Sequence, residues 1–168
     1  LSRGSRKSVY WLRVWVDYLR FFKGSNKHIK KFIGKDEKDH HVSINKIAKE
    51  IVPSNIKNLF FKIDIEGSEY QALDDLVAIS NRITGLVIEF HEVDLYIDQI
   101  KSFIERFPLN LCHMHCNNYA PLTESSTPTS IEATFTKFDV ENDYVEDLPT
   151  PMDQPNKAGE EDYSISFM

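Results

Sequence analysis

Apolar and polar positions along the chain follow two different rhythms. In residues 1–23, "LSRGSRKSVYWLRVWVDYLRFFK", Arg13, Asp17 and Arg20 share one face at helical spacing, and Trp11, Leu12, Trp15, Val16, Tyr18, Leu19 and Phe22 cover the rest. This pattern predicts a helix with a wide apolar face and a narrow polar stripe. Such a helix fits a place against its own domain, a membrane-surface position, or an Arg-rich, acid-poor targeting segment. Residues 24–42 are polar and lysine-rich, with Gly24 and Gly34 as breakers. "VSINKIAKEIV" predicts a short helix capped by Ser43, with Ile44, Ile47, Ala48 and Ile51 facing inward and Pro53 ending it.

Beyond residue 57 the rhythm becomes strand, helix, strand, helix. "NLFFKIDI" is apolar without alternation, as in a strand covered on both faces. "GSEYQALDDLVAIS" predicts a helix with Tyr70, Leu73, Leu76 and Val77 inward. "TGLVIEFH" is a second buried strand, and "VDLYIDQIKSFIERF" a helix facing Tyr96, Ile100, Phe103, Ile104 and Phe107 inward. "LNLCHMHC" and "IEATFTKF" are a third and fourth strand. The alternation predicts an α/β domain with a mainly parallel sheet. Residues 139–168 are acidic and proline-bearing, an extended tail that adds a short strand in "DYSISFM". The expected organisation is thus a basic aromatic segment over 1–41, a core over 42–138 and a tail over 139–168.

Totals narrow the function. The 168 residues suffice for one domain with a real core. The net charge of -6 argues against general nucleic-acid binding. It hides an asymmetry, because residues 1–35 hold ten Lys/Arg and one acid, Asp17, while the remainder is strongly acidic. No run is long and apolar enough to cross a bilayer, and a cytoplasmic location is expected, with targeting or membrane-surface contact through residues 1–23 as the alternative. Cys112 and Cys116 make no disulfide framework. Strand alternation separates them from His113 and His115, so "CHMHC" is not a tetrahedral zinc cluster.

In open α/β sheets, ligands bind beyond the carboxyl ends of the strands. There the first strand delivers Asp64 and Glu66. The second delivers Glu89 and His91, with Glu92 beside them. The third delivers His113 and His115, then Asn117, Asn118 and Tyr119. Carboxylates and imidazoles together suit general base work on a hydroxyl. They equally suit a divalent metal that lowers the pKa of that hydroxyl. Any one of these acids could instead be a helix-terminal charge, as Glu66 and Glu69 would be at the start of the following helix. Gly67 reads as the corner where strand turns directly into helix and backbones come close.

"FFKIDIEGSEYQAL", "ITGLVIEFH", "HMHCNNY", the upstream "VSINKI" and the tail "LPTPMDQPNKAGEEDYSISF" together resemble the FkbM-type S-adenosylmethionine-dependent methyltransferases. The resemblance runs over about residues 42–168. It implies a class I methyltransferase-like (Rossmann-like) sheet, mostly parallel with one antiparallel strand near its end, and incomplete here in its N-terminal half. It implies O-methyl transfer to a hydroxyl of a sugar, glycan or other natural product. It places Asp64, Glu66, Glu89 and His91 at the catalytic edge, with Asp64 also near the cofactor's methyl. Glu89, His91 and His115 become base or metal candidates, and His113, His115, Asn117 and Asn118 substrate contacts.

The chain departs from that family in its cofactor half: the acid that would hold the cofactor ribose has no clear counterpart, and the first 41 residues are too few for the usual three strands and helices. Its six glycines make no Gly-x-Gly, whereas the cofactor loop of this fold is glycine-rich so that backbone amides can approach the ligand. The expectation is therefore the C-terminal half of such an enzyme, a fragment or a divergent member, with S-adenosylmethionine as cofactor and a divalent metal as a second candidate. Two other readings stay open. One is a non-catalytic binding module that docks on a membrane or partner through its N-terminus. The other is a metal-dependent hydrolase using the same acids and histidines.

Overall fold

The computed structural model describes residues 3–35, 40–140 and 147–166. The chain divides into two compact units, Leu1–Lys31 and Phe32–Met168. The first unit holds helix α1 (Arg3–Phe21), whose Trp11, Leu12, Trp15 and Leu19 are exposed. Within this unit Tyr18 hydrogen-bonds His28, and the Phe22 ring stacks on the same imidazole. Among the described residues, no helix is long and apolar enough to cross a membrane.

The second unit begins ten residues ahead of the expected boundary at 41. Strand β1 (Phe32–Ile33) pairs in parallel with β2 (His41–Val42), which ties the lysine-rich stretch to the core. Helix α2 (Ile44–Glu50) follows as predicted. The Ser43 side chain accepts the Lys46 amide, and Ile44 and Ala48 are buried.

The main sheet has four strands in the order β3-β4-β6-β5, with β3 Leu59–Ile63, β4 Ile83–His91, β5 Asn110–Cys116 and β6 Ser130–Thr136. Only β3 and β4 pair in parallel, and β6 runs antiparallel to both β4 and β5. The sheet is therefore mixed rather than mainly parallel. The physical reason is the connection after β5, which contains no helix and returns the chain directly into the slot beside β4. A parallel neighbour needs a longer crossover than an antiparallel one.

Helices α2, α3 (Leu73–Ala78) and α4 (Val93–Arg106) supply one side of the core. Leu76, Leu86, Ile88 and Phe103 are fully buried there. Phe103 stacks on Phe107, and both rings meet Phe135 edge to face at 5.7 and 5.5 Å. Side chains of opposite parity on the strands form a largely polar face: Glu89 and His91 on β4, Glu132 and Thr134 on β6, His113 and His115 on β5. The expectation that β3 is covered on both faces does not hold. It lies at an edge of the sheet, and Phe60 and Lys62 are exposed. Phe60 keeps a partner because its ring lies over Gly85, where a Cβ would come within 2.8 Å of it.

The helix expected over 67–80 is broken into pieces. Ser68 makes no capping bond, and the chain enters through a 3-10 turn at Glu69–Gln71 before α3 begins. In that turn the Tyr70 hydroxyl donates to the His91 carbonyl, and its ring stacks on Tyr96 at 4.1 Å. The tail closes with β7 (Asp147–Leu148) antiparallel to β8 (Ile165–Ser166), so "DYSISFM" contributes its short strand.

Gly67 is required for a different reason from close approach. Its φ is +90°, next to Glu66 at +54°, and a Cβ would meet only Glu92 Oε2 at 3.9 Å. The corner needs left-handed backbone rather than space. Gly67→Ala is expected to cost about 1–2 kcal/mol, read as a lower urea midpoint at unchanged m-value. An unchanged midpoint would mean that the corner relaxes to negative φ.

Candidate functional site

The left-handed pair Glu66–Gly67 turns the chain at the end of β3 and brings Glu69 beneath the strand ends. Glu69 is completely buried. Its Oε1 accepts the Ile65 amide at 3.0 Å and the His91 Nδ1–H at 3.0 Å. A carboxylate can only accept, so this contact puts a proton on Nδ1 and turns Nε2 away from Glu69. Nε2 then lies 3.6 Å from Glu89 Oε1 and 3.6 Å from Glu66 Oε2. Glu66 is largely exposed, whereas Glu89 is nearly buried.

Glu89 is held by two donors on the same oxygen, Asn117 Nδ2 at 2.7 Å and Ser130 Oγ at 2.7 Å. Burial acts to raise its pKa, but these bonds, with His91 and Lys62 nearby, outweigh it and keep the carboxyl below its ordinary value. Asp64 completes the group. Asp64, Glu89 and His91 offer ligand atoms that all lie within 4.8 Å of one another, the chemistry of a divalent metal site or of a general base flanked by acids. Lys62 Nζ stands 3.9 Å from Asp64.

The four expected catalytic residues thus meet at one place, and Asn117 joins them through Glu89. The other expected site residues go elsewhere. Because β6 separates β5 from β4, His115 lies in register with Glu132 and Glu132 with Glu89, two strands away from the Asp64 group. The tail crosses this part of the polar face. His113 Nε2 contacts Asp153 at 2.9 Å and His115 Nε2 contacts Asp162 at 2.7 Å. Asn118 accepts the Lys157 amide and donates to the Glu161 carbonyl. Asn156 donates to Glu132, and the Tyr163 hydroxyl to the Ala120 carbonyl. Here His113, His115 and Asn118 hold the protein's own tail.

Cys112 and Cys116 are free thiols. Strict alternation fails at Cys112, where the pairing with β6 shifts register and leaves that residue exposed. Burial pushes the Cys116 thiol up to about 11. A cavity of about 250 Å³ lies beside Lys35, Tyr70, Asp74, Asp98 and Arg106, and neither Asp64, Glu89 nor His91 lines it.

Sequence reasoning missed Glu69, Ser130, Asp153 and Asp162 as functional partners. Glu69 reads as an exposed first-turn acid, and nothing local marks its burial. The tail's hold on β5 had a signal: two histidines at strand alternation followed by the acidic stretch 139–168. Comparison with family models, with curated proteins and with solved structures finds no match in any of the three.

The clasp carries its own pH dependence. For His115, burial lowers the pKa, but the Asp162 bond and charge, with Asp153 and Glu132, more than reverse this and raise it. Its contribution is complete below about pH 6.5 and is lost as pH rises through the higher folded value. For Asp153, burial raises the pKa, but bonds from Thr150 and the charge of His113 outweigh it and lower it. That contribution is complete above about pH 3.9 and is lost as pH falls through the lower folded value. Hydrogen-exchange protection of residues 147–163 should therefore be greatest between these limits, and Asp162→Asn should remove the alkaline loss. A flat alkaline limb would take the His115–Asp162 pair out of the energetics.

Proposed function

We propose that the second unit is the acceptor-activating part of an O-methyltransferase acting on a hydroxyl of a sugar, glycan or related natural product. The observation that carries this reading is His91, anchored through Nδ1 on buried Glu69 and turning Nε2 toward Asp64, Glu66 and Glu89 where β3 and β4 end. An imidazole fixed in that tautomer is a general base for a hydroxyl proton. Glu89, kept ionised by Asn117 and Ser130, stabilises the imidazolium that results. Asp64, exposed at the strand end, orients the acceptor. The order β3-β4-β6-β5, with a single antiparallel strand near the end of the sheet, supports the same reading. Under it, these strands are the closing part of a class I methyltransferase sheet.

S-adenosylmethionine supplies the methyl group in this class of reaction. The chain contains no Gly-x-Gly, so the glycine-rich loop usual for that cofactor is not what would hold it, and the role assigned to the residues named here ends at the acceptor oxygen. A second reading, a metal-dependent hydrolase, is favoured by the convergence of Asp64, Glu89 and His91.

The test is incubation of the protein with methyl-labelled S-adenosylmethionine and a panel of sugar and glycan acceptors, with label scored in alkali-stable ether. His91→Ala is expected to lower the rate about 10²–10⁴-fold. Glu69→Gln, which acts through His91, should lower it about 10–100-fold and shift the pH–rate profile. No ether from folded protein, with metal-dependent hydrolysis of esters or phosphoesters instead, would overturn the proposal in favour of the hydrolase.

A further inference from the structure

We propose that Asp64, Glu89 and His91 form a binding site for one divalent cation of the Mn²⁺ or Zn²⁺ type, in preference to Mg²⁺ or Ca²⁺. Their ligand atoms already lie within 4.8 Å of one another. At metal–ligand bonds of about 2.0–2.2 Å, ligands on opposite sides of an ion are ~4.2 Å apart and adjacent ones ~3 Å. The His91–Glu89 separation of 3.6 Å falls inside that range. The other separations are all within 4.8 Å, and Asp64, with 40% of its side chain exposed, has room to adjust to an ion.

Two of the three ligands are oriented in advance. His91 commits Nδ1 to the buried Glu69 carboxylate, which leaves Nε2 as the coordinating nitrogen. Glu89 takes two hydrogen bonds, from Asn117 and Ser130. Partners of this kind fix tautomer and ligand direction in metal sites, and a carboxylate behind a ligating histidine is their commonest form. Charge favours a cation as well. Asp64 and Glu89 converge in front of His91, and Glu66 adds a third carboxylate, itself exposed, 3.6 Å from Nε2. Lys62, at 3.9 Å from Asp64, is the cation an ion would displace. An imidazole among carboxylates suits Mn²⁺, Fe²⁺ or Zn²⁺ better than the all-oxygen shells of Mg²⁺ and Ca²⁺. Three protein ligands leave positions open for water or an acceptor hydroxyl. The inference rests on the methyl-transfer reading only for what a bound ion would do: with the Nε2 lone pair taken by the ion, the ion would lower the pKa of that hydroxyl in place of His91 acting as its base.

The experiment is titration of the whole chain with MnCl₂, followed by the electron paramagnetic resonance of free Mn²⁺, and with ZnCl₂ and MgCl₂ by calorimetry. The expected result is one Mn²⁺ per chain. Asp64→Asn, Glu89→Gln and His91→Gln should each weaken it by more than about tenfold, with Glu160→Gln unchanged. Circular dichroism checks that each variant is folded. In the unaltered chain, substoichiometric Mn²⁺ should broaden the His91 ring resonances before those of His113 and His115. The site is overturned by absence of saturable binding, by equal binding in the three variants, by first broadening at His113 or His115, or by preference for Mg²⁺. One Mn²⁺ bound without methyl transfer leaves the cation site and sinks the methyltransferase reading. Methyl transfer indifferent to chelator, with no Mn²⁺ bound, does the reverse.

Discussion

The buried carboxylate of Glu69 is the constraint on which the rest of the site depends. It joins two segments far apart in sequence, the turn after β3 through the Ile65 amide and the end of β4 through His91. Removing a carboxylate from water costs several kcal/mol even after relaxation. Each charge-assisted hydrogen bond returns about 1.5–3 kcal/mol, so two bonds only roughly balance the cost, and its other oxygen is buried without a hydrogen-bond partner among the described residues. The surplus has to come from the apolar packing around it. Ala72, Leu76 and Phe90 are essentially inaccessible, and loss of one such Leu side chain is worth about 2–5 kcal/mol. The orientation of His91 is therefore a product of the helix-side core.

The sheet separates two tasks by its faces. One face is hydrocarbon and aromatic, packed under α2, α3 and α4. The other carries nearly all the chemistry-bearing side chains, divided by β6 into two systems. On the β3–β4 side, carboxylates gather around His91, with Glu66 and Asp64 reaching solvent. On the β5 side, His113 and His115 are satisfied by tail aspartates. Glu132 stands between them in register with both Glu89 and His115. The same residue types thus give an open group on one side and a closed one on the other, according to what lies across them.

Much of this was readable along the chain. The Ser43 cap, the four principal strands and the convergence of Asp64, Glu89 and His91 follow from local patterns, because period and end position are set by neighbouring residues. What could not be read depends on contacts between distant segments. The insertion of β6 between β4 and β5 decides that His115 is remote from Glu89, and no periodicity encodes strand order. The continuous apolar run of β3 pointed to two covered faces, yet Phe60 is stabilised by a glycine on the next strand. Gly67 reads as a corner, but in sequence a positive φ and a need for space look alike. Glu69 shows the same limit, since a helix-start acid and a buried anchor look alike in sequence.

The tail clasp also bears on how the chain is made. Its bonds link His115 to Asp162 and Asn118 to Lys157 across 47 and 39 residues. Residues 153–162 leave the ribosome well after β5, so the helix-side core can assemble while synthesis continues, but the β5 histidines stay uncovered until that segment emerges. Long-range closures of this kind come late because they must first overcome the entropy of the intervening loop. Until then the half-built sheet offers its charged face to whatever is nearby, and residues 153–162 act as a built-in cover that arrives after the surface it protects.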